Sequence, residues 1–87
     1  MKEFERQYKA LANGKRLAIL KYLAAIHQAS VGDIAREVKL TLKATSKHLG
    51  ILSAVDAVDK TKQSLLVFYS LSEKPSAAVK HFLNQIK

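Results

Sequence analysis

The sequence predicts a small, mainly α-helical domain that carries one β-hairpin. Apolar residues recur at helical spacing from Glu3 to Leu52, β-prone residues follow from Val58 to Leu71, and helical spacing returns after Pro75. Only three glycines and one proline interrupt the 87 residues, so most of the chain should be regular structure. A chain of this length forms a single domain over 1–87.

The first two helices follow from the spacing of apolar side chains. A first helix over Glu3–Ala12 is predicted by apolar residues at i, i+4 and i+7, which are Phe4, Tyr8 and Leu11. Asn13-Gly14 is a turn signal. Lys15–His27 is apolar on more than one face, which predicts the central helix of the core.

Two further helices are expected on either side of a tight turn. Ser30 is a candidate N-cap for the third helix, and Asp33 three residues later comes close to a capping box. Lys39-Leu40 forms a short connection, and Thr41 is a good N-cap for the fourth helix. Two short helices joined in this way form a helix-turn-helix, in which the second helix reads DNA.

The fourth helix has two faces of different chemistry. One is a mostly apolar stripe suited to the core, made of Leu42, Thr45, Leu49 and Leu52. The other, here called the polar stripe, consists of Lys43, Ser46, Lys47 and Gly50. A helix that reads DNA needs cations for phosphates and short polar groups for base edges. An ordinary amphipathic surface helix is the alternative interpretation.

A hairpin and a last helix complete the predicted order. The strands are Val58–Lys62 and Leu65–Leu71, with Gln63-Ser64 at the tip. The last helix is expected to begin near Pro75, with proline at its first position and Ser72 or Lys74 just outside. Its apolar stripe is Val79, Phe82, Leu83 and Ile86. Four helices, a hairpin and a helix in this order form a winged helix-turn-helix.

The charge of the chain points to an anionic partner. Fifteen Lys and Arg against seven Asp and Glu give a formal net charge of +8. A positive field of this size on a small domain favours nucleic acid, acidic proteins or anionic lipid. No helix combines a dense basic face with a broad apolar one, so a membrane-surface role is not expected.

Composition also narrows the function classes. The chain has no cysteine, and therefore no disulfide and no thiolate metal site. It shows no signal peptide and no apolar run long enough for a membrane span, so we expect a cytoplasmic protein. A cysteine nucleophile, a Gly-x-Ser-x-Gly motif and a phosphate-cradling glycine loop are all absent, so we expect no enzyme.

Four segments, LANGKRLAIL, DIAREVKLT, TSKHL and VFYSL, make the chain from Ala10 to Leu71 resemble the ArsR/SmtB family of bacterial winged-helix repressors. The resemblance implies a homodimer whose two recognition helices enter successive major grooves of a pseudo-palindromic operator. It also implies that the first and last helices, 1–12 and 75–87, form the dimer interface. The predicted interface residues are Phe4, Tyr8, Leu11, Val79, Phe82, Leu83 and Ile86.

The residues predicted to contact double-stranded DNA come from three segments. From the fourth helix they are Thr41, Lys43, Ser46, Lys47 and His48. Thr45 is expected to pack inward, whereas His48 lies between the two stripes and either approaches a phosphate or packs on the helix flank. From the hairpin they are Lys60, Lys62 and Gln63. The resemblance adds Arg16, for which a structural salt bridge is equally plausible.

The chain departs from the family pattern at positions that bear on sensing. ASVGDI stands where metal sensors have paired cysteines, and the last helix offers only His81, with Glu73 near its start. We therefore expect no metal and no cofactor, and the effector stays open. Ser64 and Leu65 replace the usual Gly and Arg of the hairpin tip, and Asp56 replaces a Gly after the fourth helix.

Two other functions remain open at this point. One is a winged helix used as a protein-interaction or dimerisation module, which Leu65-Leu66 at the hairpin tip would suit. The other is a basic architectural protein that binds DNA without sequence preference.

Overall fold

The predicted order of four helices, a hairpin and a fifth helix is confirmed. The structure is a computed structural model that describes residues 2–86; Met1 and Lys87, which the predicted terminal segments include, lie outside the described residues. The helices are α1 Lys2–Leu11, α2 Gly14–Ile26, α3 Val31–Val38, α4 Leu42–Ala54 and α5 Ala77–Ile86. The strands are β1 Ala29–Ser30, β2 Val58–Gln63 and β3 Leu66–Leu71.

Polar side chains cap the three helices that build the centre of the domain. Asn13 accepts from two amides of the first turn of α2, so it is the N-cap and Gly14 already belongs to the helix. Ser30 and Thr41 each accept from the third amide of their helix at 3.1 Å, as predicted. The Asp33 carboxylate forms a salt bridge with Arg36 one turn along α3. It therefore does not complete a reciprocal capping box with Ser30.

The sheet has one strand more than the sequence predicts. β1 pairs antiparallel with β3, with Ala29 opposite Tyr69, and the strand order is β1-β3-β2. Because β1 ends where α3 begins, this pairing fixes the helix-turn-helix against the hairpin. A strand of two residues is too short to show an alternating pattern, which is why it could not be predicted.

The hairpin turn lies one residue further along the chain than predicted. Gln63 pairs with Leu66, so Ser64-Leu65 forms the two-residue turn instead of Gln63-Ser64. Ser64 has φ 57°, in the left-handed region that glycine usually supplies. Asp56, after α4, has φ 56° and is likewise left-handed, which an aspartate tolerates better than most residues.

The start of α5 differs from the prediction. The helix begins at Ala77, and the Ser76 hydroxyl accepts from the Val79 amide at 3.3 Å. Ser76 therefore caps the helix, and Pro75 precedes the cap instead of occupying the first helical position. A serine hydroxyl can bond a free amide of the first turn, which neither Lys74 nor the proline ring can do.

The core is built around α2, as its apolar faces predict. The fully buried side chains are Ile19, Leu20, Leu23, Ile34, Leu49, Leu52, Val79 and Thr45. The Thr45 hydroxyl donates to the Thr41 carbonyl at 2.8 Å, so its burial leaves no polar atom unpaired. Leu42, predicted to face inward, is 60% exposed. As the first residue of α4 it tilts toward the helix start and past the core.

Candidate nucleic-acid interface

The polar stripe of α4 is exposed along its whole length. Lys43, Ser46, Lys47 and Gly50 all reach solvent, while Thr45, Leu49 and Leu52 on the opposite side are buried. A Cβ placed on Gly50 would meet no atom within 4 Å, so the surface there is open. α4 thus has the division of faces that a groove-binding helix requires.

The start of α4 adds an anion-binding element to this face. Thr41 is exposed and its hydroxyl accepts from the Ala44 amide at 3.1 Å. The first turn of a helix carries amides without intrahelical partners and a partial positive charge, which together favour a phosphate. Lys43 lies within that first turn, so its cation adds to the same field.

Three acidic side chains cluster beyond the C-terminal end of α4. Asp56, Asp59 and Glu73 line one surface depression together with Lys74. Asp56 follows the C-terminal end of α4, and a helix of 13 residues is about 20 Å long. Lys43, in the first turn of α4, therefore lies at the opposite end of the helix from Asp56.

The hairpin, here called the wing, carries its predicted contacts on both faces. Lys60 and Lys62 are exposed and lie opposite Tyr69 and Val67, on the face that continues into the core. Gln63 lies on the other face, because successive strand residues alternate. The two lysines can therefore approach one strand of a duplex together, and Gln63 reaches it only at the wing tip.

Two leucines stand out at the wing tip. Leu65 is 93% exposed and Leu66 is 58% exposed, although both are large apolar side chains. Leu65 belongs to the turn itself, so no neighbouring strand residue covers it.

Arg16 links three helices and forms no salt bridge with a carboxylate of residues 2–86. Its Nε donates to the Ala10 carbonyl at 2.5 Å and its Nη2 to the Lys9 carbonyl at 3.3 Å, both in the last turn of α1. Its Nη1 contacts Nδ1 of His48 on α4 at 3.1 Å. Lys15 next to it donates to the Val38 carbonyl at the end of α3, at 2.8 Å. The start of α2 therefore contacts the ends of α1 and α3 and the flank of α4.

His48 is half-buried, as its position between the stripes indicates. Partial burial lowers the pKa of its imidazole, and the positive charges of Arg16, Lys47 and Lys15 lower that pKa further. The ring is therefore neutral at pH 7, and one of its nitrogens is available as an acceptor.

An apolar groove runs between α1 and α5 on another side of the molecule. Its volume is about 470 Å³, and it is lined by Phe4, Gln7, Tyr8, Leu11, Ala77, Ala78, His81, Phe82 and Gln85. Phe4 and Tyr8 are 52% and 59% exposed and stack with ring centroids 6.2 Å apart. Phe82 and Ile86 are half-buried.

Three residues predicted for the dimer interface are buried within the protomer. Leu11, Val79 and Leu83 are 2%, 0% and 3% exposed, because α1 and α5 close over them against the core of the same chain. Leu11 still lines the floor of the groove, whereas Val79 and Leu83 are not among its lining residues. The groove is also lined by His81 and Gln85, which were not among the predicted interface residues. Ala77, His81 and Gln85 follow one another at intervals of four residues, which places them on one face of α5. This spacing could have indicated from the sequence that they lie together.

Residues 2–86 contain no group of three or more His, Cys, Asp or Glu side chains placed to hold a metal ion. Within the same residues, none of the helices has the length and apolar character needed to cross a membrane.

Comparison with known proteins gives relatives for almost the whole chain. A family model described as a helix-turn-helix domain matches residues 11–61. The transcriptional activator HlyU of Vibrio cholerae is 35% identical over 78 residues, which cover 90% of this chain and 71% of HlyU. A structure of reduced HlyU superposes with a TM-score of 0.81 at 33% identity, covering 98% of this chain and 85% of that one.

Two further relatives carry family descriptions. The arsenical resistance operon repressor of Bacillus subtilis is 28% identical, covering 85% of this chain and 70% of the repressor. A homodimeric winged helix-turn-helix DNA-binding domain from Mycobacterium bovis, described as a possible ArsR-family transcriptional regulator, has a TM-score of 0.82 at 27% identity. It covers 98% of this chain and 75% of that chain.

Proposed function

Because this chain belongs to the ArsR/SmtB-type family of winged helix-turn-helix proteins and is a DNA-binding transcriptional regulator, we propose that it acts as a homodimeric repressor on a pseudo-palindromic operator. The observation that carries the proposal is the exposed polar stripe of α4, backed by a buried apolar stripe. Within each protomer, α4 enters a major groove, and the lysines of the wing approach the flanking phosphates.

The α1–α5 groove supports the dimer. It leaves two stacked aromatic side chains, Phe4 and Tyr8, more than half exposed on a chain of 87 residues. A contiguous apolar surface of this kind marks an interaction site on a small protein. The relative from Mycobacterium bovis is homodimeric, so we propose a second copy of this chain as the occupant.

Base contacts and phosphate contacts are assigned to different residues. Lys43, Ser46 and Lys47 on the polar stripe are proposed to face the groove, where Lys47 contacts either a guanine or a phosphate. Thr41, Lys60, Lys62 and Gln63 are proposed to contact the backbone. If each protomer neutralises about four phosphates, the slope of log K against log salt for the dimer is near −7.

Repression follows if the operator overlaps a promoter, because the bound dimer then excludes polymerase. One relative is named an activator and another a repressor, so the position of the operator decides the direction of regulation. We expect cytoplasmic location, no enzymatic activity and no bound metal or cofactor. The effector stays open.

Selection of genomic fragments by the purified protein at physiological salt tests this function. Sequencing of the bound DNA should reveal an inverted repeat with half-sites about one helical turn apart. Equal retention of all fragments would contradict sequence-specific regulation and favour the architectural function. Absence of retention at low salt would contradict both DNA functions.

The exposed wing tip favours one second candidate, a protein-docking module. Leu65, at 93% exposure, is the kind of apolar side chain that a partner protein covers. High affinity for a partner in high salt, without duplex binding in low salt, would favour this candidate.

A further inference from the structure

Arg16 connects the two surfaces on which the proposed function depends. Its guanidinium is held by two carbonyls at the end of α1 and by the flank of α4. α1 forms one wall of the proposed dimer groove, and α4 carries the polar stripe. A single planar group therefore spans the dimer element and the DNA-reading element.

The contact between Arg16 and His48 also defines the state of the imidazole. A guanidinium only donates hydrogen bonds, so Nδ1 of His48 must accept and the ring proton lies on Nε2. Nε2 forms no hydrogen bond with residues 2–86. Every buried side-chain nitrogen described in that range has a hydrogen-bond partner. Nε2 therefore reaches solvent, and its N–H is available to a phosphate oxygen.

The carbonyls that Arg16 binds are unpaired by the geometry of α1. The last carbonyls of a helix lack intrahelical partners, and they lie at the negative end of the helix dipole. With Nε and Nη2 directed to them and Nη1 to His48, the three donor nitrogens of Arg16 all contact protein atoms. A phosphate would therefore meet a guanidinium that the protein already holds at three points.

We propose that Arg16 is a positioning residue for operator recognition, which holds α4 in a fixed place relative to α1 through Nδ1 of His48 and does not itself contact DNA. The inference rests on the proposed function and gives Arg16 a different role from the DNA contact that the family resemblance implies. Correct spacing of two recognition helices in a dimer requires that each α4 keep its place relative to the dimer helix of its own protomer.

The charges around His48 give this arrangement a dependence on pH. Arg16 and Lys15 from α2 and Lys47 from α4 act on the ring, and all three are cations. Two more cations, Arg6 and Lys9 of α1, line the adjoining cleft together with Arg16. None of the charged residues described on α3 or β2 shifts the pKa of His48. Protonation of Nδ1 would place an N–H against the guanidinium and break the contact. Acid therefore releases α4 from Arg16, and neutral pH restores the contact.

The test compares Arg16→Lys with Arg16→Ala on the selected operator and on a random duplex. Lysine keeps the charge but lacks the rigid planar fork that reaches two α1 carbonyls and His48 from three separate nitrogens. We expect Arg16→Lys to lose roughly 2- to 30-fold in operator affinity while random-duplex affinity and the salt slope stay the same. Full operator affinity in Arg16→Lys would overturn the proposal. So would an equal loss on both duplexes in Arg16→Ala with a salt slope smaller by about 1, which indicates a phosphate contact.

The pH dependence of binding in His48→Gln distinguishes the proposed contact from a general loss of structure. The amide oxygen of glutamine accepts from Arg16 but does not titrate. The ratio of operator to random-duplex affinity should fall in the wild type as the pH is lowered below the ordinary pKa of histidine, and it should stay constant in His48→Gln. Lys21→Ala, an exposed lysine of α2 outside the site, is the matched control. A ratio that does not change with pH in the wild type, or a pH dependence in His48→Gln equal to that of the wild type, would overturn the proposal.

A measurement without DNA separates this inference from the proposed function. The ¹⁵N shift of His48 Nδ1 at neutral pH should be that of an unprotonated acceptor in the wild type and should change in Arg16→Ala. Circular dichroism verifies that the variant is folded. A protonated Nδ1 in the wild type, or no change in the folded variant, would contradict the inference even if an operator is found. Failure to find an operator would contradict the proposed function instead.

Discussion

Tyr8 offers the most direct test of the α1–α5 groove as a dimer interface. Its ring is 59% exposed and stacked on Phe4, also exposed, so it contributes little to the core of its own chain. Tyr8→Ala should therefore weaken self-association strongly while leaving the protomer folded. Loss of a surface i, i+4 aromatic pair costs only a few tenths of a kcal/mol of folding stability.

The size of the effect follows from the exposed area. A tyrosine side chain presents about 200 Å², of which the exposed fraction leaves about 120 Å² for a partner to cover. Truncation to alanine removes roughly 80 Å² of this, and the two-fold symmetry of a homodimer doubles the loss to roughly 160 Å². At about 25 cal/mol per Å² the dimer loses up to ~4 kcal/mol, and about half of that if association recovers only part of the transfer energy. The dimer Kd should rise roughly 30- to 1,000-fold.

Sedimentation equilibrium without DNA measures this Kd. Leu65→Ala is the matched control, because it removes an even more exposed apolar side chain from the wing tip, outside the groove. Its Kd should equal that of the wild type. An unchanged Kd for Tyr8→Ala with an intact circular dichroism spectrum would refute the groove as the interface. A raised Kd for Leu65→Ala would locate self-association at the wing.

Three further substitutions test the recognition helix. Lys47→Ala should lower operator affinity by about 5- to 150-fold in a titration if it reads a base, with little loss on a random duplex; an equal loss on both would assign Lys47 to a phosphate. Thr41→Ala should lower the free energy of unfolding in urea by about 1 kcal/mol because α4 loses its cap, and Thr41→Ser should restore most of it; equal stability of the two variants would contradict the capping role. Leu49→Ala, at a site with 0% exposure, should lower the free energy of unfolding by about 3–5 kcal/mol. Its melting temperature should lie well below that of Leu42→Ala, whose side chain is 60% exposed. Similar melting temperatures of the two variants would contradict the assigned faces of α4.

Local chemistry made the helices predictable. Ser30 and Thr41 could be identified as caps because the required hydroxyl and the position before an apolar run are both visible in the sequence. Leu49 and Leu52 could be assigned to the core because, away from the helix ends, residues at helical spacing lie on one face of the helix. Leu42 belongs to the same stripe, but it lies at the first helical residue, where tertiary context and not periodicity decides burial.

Features set by distant partners could not be predicted. β1 exists because Ala29 and Ser30 find Tyr69 and Phe68 far along the chain, and two residues carry no strand pattern of their own. Leu11, Val79 and Leu83 lie on correctly predicted stripes, but a stripe does not show whether the same chain or a second copy covers it.

In the candidate site, too, local features could be predicted and contacts between distant residues could not. Exposure of Lys43, Ser46 and Lys47 was predictable from helical spacing alone. The contacts of Arg16 were not, because its partners lie in the last turn of α1 and on the flank of α4, 32 residues away at His48. A side chain with several donors and no acceptor shows its role only when its neighbours are in place.

Changing the spacing of the selected operator tests most directly the claim that a homodimer reads two half-sites. Insertion of about five base pairs between the halves turns one half-site to the opposite side of the duplex. We predict that affinity falls to that of a single half-site. An insertion of about ten base pairs should cost less affinity than the shorter one, because both halves again face the same side. Equal affinity for the original and both altered operators would contradict simultaneous recognition by two rigidly paired recognition helices.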